Sequence, residues 1–464
     1  AICTLLLKAE EANPGSVFDA DFILEKTIDY KEYLIHLRNQ RVEDLAYEAG
    51  IDLAQIEEAV NLIKHKRKII VCWAMGLTQH KNSVDTIKEL VNLLLLKGSI
   101  GKPGAGTCPV RGHSNVQGDR TVGIYEKPSA ELLEKIEQNF GFIPPKKHGY
   151  DVVHSIKAMH EGEAKVFFGM GGNFLSATPD TTFTAQSLQK CNLTVHVSTK
   201  LNRSHLVHGK EALILPCLSR SDRDTTGGMP QFISCENSMG VVQQSKGMLK
   251  PISEQLLSEP EIVCRLAMAT LGPQSKVNWS KYIVNYDLIR DDIEKTISGF
   301  DQYNARVRLP AGFYLPNCNR DQTFDTSSKK AQFNIAETSS FLLAKDELMM
   351  MTIRSHDQFN TTIYGLDDRY RGIYNERRVI LMHKNDIASR GLKDGDVVDL
   401  HNQFEGTKRM ARHFIIVEYP ITERCTATYF PETNVLVPID SDAKKSNTPT
   451  YKQVAITISK HIPD

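Results

Sequence analysis

Four short apolar runs, each ending in a loop, constrain this chain more than any other feature. Residues 68–73 (Lys-Ile-Ile-Val-Cys-Trp) run into Met75-Gly76. Residues 165–168 run into Gly169-Met170-Gly171-Gly172-Asn173. Residues 193–197 run into Ser198-Thr199-Lys200, and residues 212–215 into Pro216-Cys217. Continuous β-branched runs without polar alternation read as buried parallel strands. Helical patterns lie between them, including an amphipathic stretch over 83–97 closed by Gly98. Strands alternating with helices give a parallel α/β sheet, whose ligands sit beyond the carboxyl ends of the strands. The loops after 168, 197 and 215 therefore point at one candidate site.

The flanking regions have different textures. Residues 29–41 and 42–66 carry apolar residues at helical spacing, after a breaker at Asn13-Pro14-Gly15. Residues 98–125 are crowded with glycines, among them Gly98, Gly101, Gly104, Gly106, Gly112 and Gly118, and have little periodicity, which reads as a long functional loop. Residues 250–345 are mixed. From about Leu348 the chain turns strand-rich: residues 378–383, 396–403, 412–418 and 427–430 are short apolar runs, with Asp394-Gly395 and Glu405-Gly406 as turn signals. The expected architecture is α/β with parallel sheets, followed by a β-rich, barrel-like carboxy-terminal domain. The expected divisions are 1–110, 111–250, 251–347 and 348–464.

Charge and cysteine content narrow the function. Lys plus Arg and Asp plus Glu are both 56, so no global field draws the chain to nucleic acid or to an anionic membrane. No run approaches the ~18 apolar residues that cross a bilayer. Nine widely spaced cysteines include no C-x-x-C pair, so this chain is not expected to hold an iron–sulfur cluster or a zinc knuckle. Free thiols in a reducing, cytoplasmic compartment are the expectation. His205 and His208 could share a helix face, but no third ligand is evident and no metal ligand is assigned. The opening, Ala1 followed by a helical run, reads as the middle of a larger protein.

Several local patterns suit anions. The 169–173 glycine loop lets backbone amides approach a phosphate at a helix start, although it has neither the Walker A lysine nor the spaced dinucleotide fingerprint. Arg111, between glycine-bearing segments, offers a guanidinium fork for carboxylate or phosphate. Residues 354–360 (Arg-Ser-His-Asp-Gln-Phe-Asn) form a dense polar run after the apolar 348–353 stretch, and residues 448–452 (Thr-Pro-Thr-Tyr-Lys) precede the last strand.

In this order, the patterns resemble the bis-molybdopterin-guanine-dinucleotide oxidoreductases, and most closely their formate-dehydrogenase-alpha-like branch. Trp73-Ala74-Met75-Gly76-Leu77-Thr78-Gln79 is similar to that family's W-G-M-G-x-T-Q segment. Residues 92–104 are similar to its L-L-T-G-N-x-G-K-P-G continuation, and residues 110–118 to V-R-G-Q-N-N-V-Q-G. The resemblance implies that Met75, Gly76, Gln79 and Gln117 line a dinucleotide site. It implies that Gly171, Gly172, Asn173, Ser198, Thr199 and Lys200 hold a guanine nucleotide end, with Asp222 at the guanine. From the β-rich domain, Arg354, Ser355, His356, Asn360, Asn434, Tyr451 and Lys452 would close over the pterins. Arg111 matches the arginine that faces substrate.

The implied cofactor is bis-molybdopterin guanine dinucleotide with molybdenum or tungsten, and the implied substrate is formate or a related small oxyanion. The family's metal-ligating residue and its 4Fe-4S cysteines belong upstream of the first matching segment. This chain also departs from the formate dehydrogenase pattern: His113-Ser114 stands where that branch reads Gln-Asn. Two other classes compete. One is a non-catalytic electron-transfer scaffold of the same fold. The other is an NAD-binding dehydrogenase built on the 169–173 loop, which lacks an acidic residue ending the 193–197 strand.

Overall fold

The computed structural model describes residues 1–338, 341–361 and 363–463. The first lobe is helical. Helices Ile2–Ala12, Tyr30–Arg38, Leu53–Ile63 and Ser83–Leu96 pack around Leu6, Tyr33, Leu94, Leu96 and Phe333, each 3% exposed or less. The stretch 42–66, expected as one helix, is two. Val42–Ala49 ends at Gly50 in the left-handed region, and a new helix starts after Asp52. Strand β1 (Thr27–Ile28) lies in this lobe. Strands β2 (Ile70–Trp73) and β3 (Gly106–Pro109) form a parallel pair beside it. Glycine and proline conceal β3 in the sequence, because neither carries a strand propensity. The run at 68–73 is parallel as expected but not buried: Ile70 is 54% exposed, and β2 alternates exposed with half-buried.

The second lobe carries the sheet read from the sequence. β4 (Val166–Met170), β5 (Leu193–Ser198) and β6 (Glu211–Pro216) pair in parallel in that order. Central β5 is buried along its length, whereas β4 and β6 leave faces open. Beyond them β7 (Ile233–Glu236), β8 (Val241–Ser245) and β9 (Phe313–Tyr314) form an antiparallel sheet. The 250–345 stretch, mixed in sequence, holds the helices Glu259–Leu271, Trp279–Val284 and Asp287–Thr296 between irregular segments. Strand β10 (Ala331–Gln332) then returns to pair with β1.

The remainder is a closed barrel in the order β11 (Leu348–Ile353), β15 (Cys425–Tyr429), β12 (Val379–Met382), β14 (Thr407–Glu418), β13 (Val397–Phe404) and β16 (Val454–Lys460). Side chains alternate across each strand. Leu348, Met350, Ile380, Met382, Val398 and Leu400 fill the interior, all fully buried, and closure removes the unpaired edges that an open sheet would expose. The expected α/β-plus-barrel architecture is present. Several polar ties hold the barrel to the second lobe, among them two through buried side chains. Arg409 donates through Nε to Asp180 at 2.7 Å, with both side chains 7% exposed. The Asn434 amide donates to the Ser176 carbonyl at 2.7 Å.

Candidate functional site

The carboxyl ends of β4, β5 and β6 open into a cleft of about 1070 Å³. Met170 and Gly171 reach it from β4, Thr199 from β5, and Leu218, Ser219, Arg220 and Asp222 from the loop after β6. The loops are fixed from behind. The Gly171 amide donates to the Val197 carbonyl at 2.8 Å, and the Gly172 carbonyl accepts the Asn202 side-chain amide at 2.8 Å. Asn173, 6% exposed, accepts the Ser204 hydroxyl at 2.8 Å. Gly171 and Gly172 both have positive φ, near +70°, with no neighbouring atom within 4 Å of where a Cβ would stand. The backbone there is bare, as a cradle for a large anion requires. Ser198 closes β5 and is nearly buried, while Thr199 and Lys200 are exposed.

Asp222 is held by its own turn. One carboxylate oxygen accepts from the Ser219 amide at 2.8 Å and the Ser219 hydroxyl at 2.9 Å. Gly247 backs this turn, and any side chain there would strike the Asp222 carbonyl, 1.8 Å from a Cβ. Arg220, beside it, donates to the Ser114 hydroxyl at 2.6 Å and to the Cys235 sulfur at 2.9 Å. The far wall is apolar, with Leu132, Phe140, Phe142, Val263 and Ile293. Burial, with Asp119 nearby, pushes the Glu259 carboxyl up, and Arg220 opposes that shift.

A second group gathers where the first lobe meets the barrel. The Lys452 amide donates to the Gln79 carbonyl at 3.1 Å, and the Lys81 amide donates to the Gln453 side chain at 3.0 Å. The Lys452 ammonium donates to the Thr352 carbonyl. Burial, helped by the Arg354 charge, pushes it down to about 8. Burial likewise lowers His80, and the Lys452 charge adds to that. Arg354 lies over the Phe430 ring at 5.4 Å, and burial works against its charge too. Gly112 passes close enough that a Cβ would stand 3.7 Å from an Arg354 terminal nitrogen. Among the described residues no ion pair joins a carboxylate to Arg354 or Lys452. Half-buried cations without counter-ions lower one another's proton affinity and attract an anion.

The 110–118 segment bridges the two groups. His113 and Ser114 line the cleft, while His113 Nε2 lies 2.7 Å from the Asn360 amide in the barrel. Arg111 is exposed and donates to the Gln117 side chain at 2.9 Å. Met75 and Gly76 sit in the short helix Met75–Thr78, and the Met75 sulfur accepts the Thr78 hydroxyl.

Other singled-out residues lie apart from both openings. Ser355 is 7% exposed and held by Gln358 and Arg377. His356 turns outward to Asp357 at 3.2 Å and packs on Tyr370. Asn434 is fully buried, and the Tyr451 hydroxyl donates to the Ala177 carbonyl at 2.8 Å. These last two hold the barrel against the helix Phe174–Ala177 that follows the glycine loop. Sequence reasoning passed over His80, Arg220 and Arg377. Only the adjacency of His80 to Gln79 could have flagged the first of these.

Comparisons with known proteins agree with this layout. Residues 18–206 match the family model described as molybdopterin oxidoreductase, and residues 348–455 match the molydopterin dinucleotide binding domain. The chain is 48% identical over 460 residues to an uncharacterised oxidoreductase of Mycobacterium tuberculosis, covering 98% of this chain and 59% of that protein. It is 41% identical over 459 residues to protein YdeP of Escherichia coli K12, covering 97% and 60%. A putative formate dehydrogenase of Staphylococcus aureus is 26% identical over 185 residues, 38% of this chain and 19% of that one. Among solved structures, acetylene hydratase from Pelobacter acetylenicus superposes with a TM-score of 0.66 at 14% identity. That match covers 99% of this chain and 70% of that one, and shows the fold. The chain spans about three fifths of the length of the curated oxidoreductase and YdeP relatives. Two family matches in this order, on an α/β body and a closing barrel, place the chain in the molybdopterin oxidoreductase superfamily.

Proposed function

We propose that this chain is the cofactor-gripping part of a molybdenum- or tungsten-dependent oxidoreductase that holds two molybdopterin guanine dinucleotides between its α/β lobes and its barrel. The carrying observation is the Arg354–Lys452 pair beside His80: two half-buried cationic side chains at a junction of lobes, with no ion pair to a carboxylate among the described residues, and an imidazole that burial and the Lys452 charge hold neutral. A pyrophosphate-bearing, anionic cofactor is the chemistry that balances such a set. When bound, the metal cofactor supplies the two-electron chemistry, and protein supplies grip, orientation and field.

The chain's own residues divide the work. Gly171, Gly172, Asn173, Ser198, Thr199 and Lys200 take a nucleotide end. Asp222, with its free oxygen, accepts from the N–H edge of guanine. Met75, Gly76, Gln79 and Gln117 line one dinucleotide, while Arg354, Asn360 and Lys452 close from the barrel and buried Ser355 fixes the segment that carries Arg354. Asn434 and Tyr451 act by fixing the barrel's position. Arg111 binds and orients a small oxyanion such as formate through its guanidinium.

On this reading residues 1–110 end one cofactor domain, 111–250 form a second, 251–347 connect, and 348–464 form the dinucleotide-binding barrel. The metal ligand and a 4Fe-4S cluster belong to upstream sequence of the longer protein, in the cytoplasm. Among the described residues no helix is long and apolar enough to cross a membrane. Metal, pterin and nucleotide analysis of the longer protein tests the proposal. The expected result is molybdenum or tungsten, two pterins per chain, and guanine nucleotide released by acid. Pterin without either metal would end the enzymatic reading and leave a scaffold. Absence of both pterin and guanine nucleotide would overturn the proposal altogether.

A further inference from the structure

Cys72 and Cys108 are partners in the register of parallel strands β2 and β3. Opposed residues on parallel strands project from the same face. Neighbouring strands lie ~4.8 Å apart, inside the ~4.4–6.8 Å between Cα atoms that a disulfide spans. Both thiols are free; Cys72 is exposed and Cys108 partly so. Burial, then the Cys72 thiol beside it, raise the Cys108 thiol, which places the two sulfurs within interaction range. Among the described residues no other two cysteines face each other across a strand register. Cys3, Cys191, Cys217 and Cys264 are buried.

Position gives the pair a consequence. Cys72 stands three residues before Met75, and Cys108 three residues before Arg111. The two sulfurs therefore sit at the roots of the two loops that reach the barrel. One loop does so through the Gln79–Lys452 bond, and the other through His113 and Asn360. We propose that Cys72 and Cys108 are a redox-active dithiol that closes to a disulfide by exchange with a small-molecule disulfide, tying together the roots of the loops that carry Met75–Gln79 and Arg111.

The exchange balances. The exposed Cys72 thiolate attacks the small disulfide, forms a mixed disulfide and expels one thiolate. Cys108 then loses its proton and attacks the Cys72 sulfur, and the second small thiolate leaves. Two electrons and two protons pass to the small disulfide, which becomes two thiols. Closure draws the Cβ atoms in to ~3.8 Å. A bridge directly across two parallel strands is strained, and strained, exposed bridges are the ones most readily reduced. The device is thus reversible. It needs no cofactor, so its test stands apart from that of the proposed function.

The test treats the reduced full chain with oxidised glutathione, alkylates the remaining thiols and maps the peptides. Separately, the chain is titrated with phenylarsine oxide, which bridges two nearby thiols. The expected outcome is one internal cross-link between the Cys72 and Cys108 peptides. One equivalent of arsenical should shield the same two residues, and Trp73 emission should drop on oxidation in a Trp279→Phe background and recover with dithiothreitol. Cys72→Ser or Cys108→Ser should weaken arsenical binding by roughly a hundredfold, the gain from holding a second thiol at high local concentration. Cys318→Ser should leave it unchanged. Wild-type chain that carries glutathione on Cys72 while Cys108 remains open to alkylation would overturn the proposal, whatever the variants do.

Discussion

Arg377 is the residue on which the 354–360 segment depends, and replacing it gives a quantitative test of how that segment is held. Its guanidinium is 4% exposed and fully used. It donates to Glu432 at 2.7 and 3.2 Å, to the Ser355 hydroxyl at 2.8 Å, to the Gln358 side chain at 3.1 Å and to the Phe430 carbonyl at 2.9 Å. The rings of Tyr364 and Tyr429 lie 4.4 and 4.9 Å from it. Arg377→Met keeps the volume but leaves the largely buried Glu432 carboxylate without its cation and takes one hydrogen bond each from Ser355, Gln358 and the Phe430 carbonyl, which keep their bonds to one another. Breaking a buried pair in this way costs ~3–5 kcal/mol. The loss falls on the local opening of 354–360, because Ser355 and Gln358 are the groups released. Taking ~3 kcal/mol at 1.4 kcal/mol per decade, the Ser355 and Phe359 amides should exchange with solvent roughly a hundredfold faster. These amides are bonded to Gln358 and Ile363. Amides in the β13–β14 ladder should barely change. Arg377→Lys keeps the charge without the fork and should fall between. Hydrogen exchange read by mass spectrometry decides it. Less than a fivefold acceleration at Ser355, in a variant whose barrel amides stay protected, would refute the reasoning.

Four other perturbations are equally specific. Lys452 sits at about 8, below its ordinary 10.5, so its contribution to stability is present above 10.5 and lost as pH falls through 8. The wild-type chain without bound anion should gain stability relative to Lys452→Met between pH 8 and 10.5, by ~1 kcal/mol after solvent screening; paired urea titrations cancel Lys97, also pushed down to about 8. Arg409→Met should cost ~3–5 kcal/mol by stranding buried Asp180, seen as faster proteolytic separation of barrel and α/β lobes. Gly247→Ala drives a Cβ into the Asp222 carbonyl and should lower stability by ~1–3 kcal/mol, with guanine nucleotide affinity, by calorimetry, falling along with it. Tyr451→Phe removes one bond to the Ala177 carbonyl and should cost ~1–2 kcal/mol in thermal unfolding.

The strands at 166–170, 193–198 and 211–216 were legible because β-branched runs bounded by glycine and proline leave few alternatives, and the barrel because its apolar runs recur with turn signals between them. Strand β3 was not, since a strand made of Gly106, Thr107, Cys108 and Pro109 depends on its partner β2 rather than on propensity. The helices after residue 258 were obscured by polar faces and short lengths. Among the site residues, the sequence could name Asn434 and His356 but not orient them. Full burial of Asn434 and the outward turn of His356 onto Tyr370 follow from packing, which composition does not encode.

The cationic junction was invisible for a different reason. Charges that sum to zero over the chain say nothing of where they fail to cancel. Gln79 and Lys452 are far apart in sequence, yet one backbone bond joins them. That bond brings His80 and Arg354 to the same ammonium. Grouping these basic side chains works against folding while nothing anionic is present, because each disfavours the charge on the next. An anion seated among them reverses the sign. It restores the protonation of Lys452, takes up a proton in doing so above pH 8, and draws the first lobe onto the barrel. If the proposed cofactor is the anion seated here, its binding and the protonation of Lys452 are one linked equilibrium.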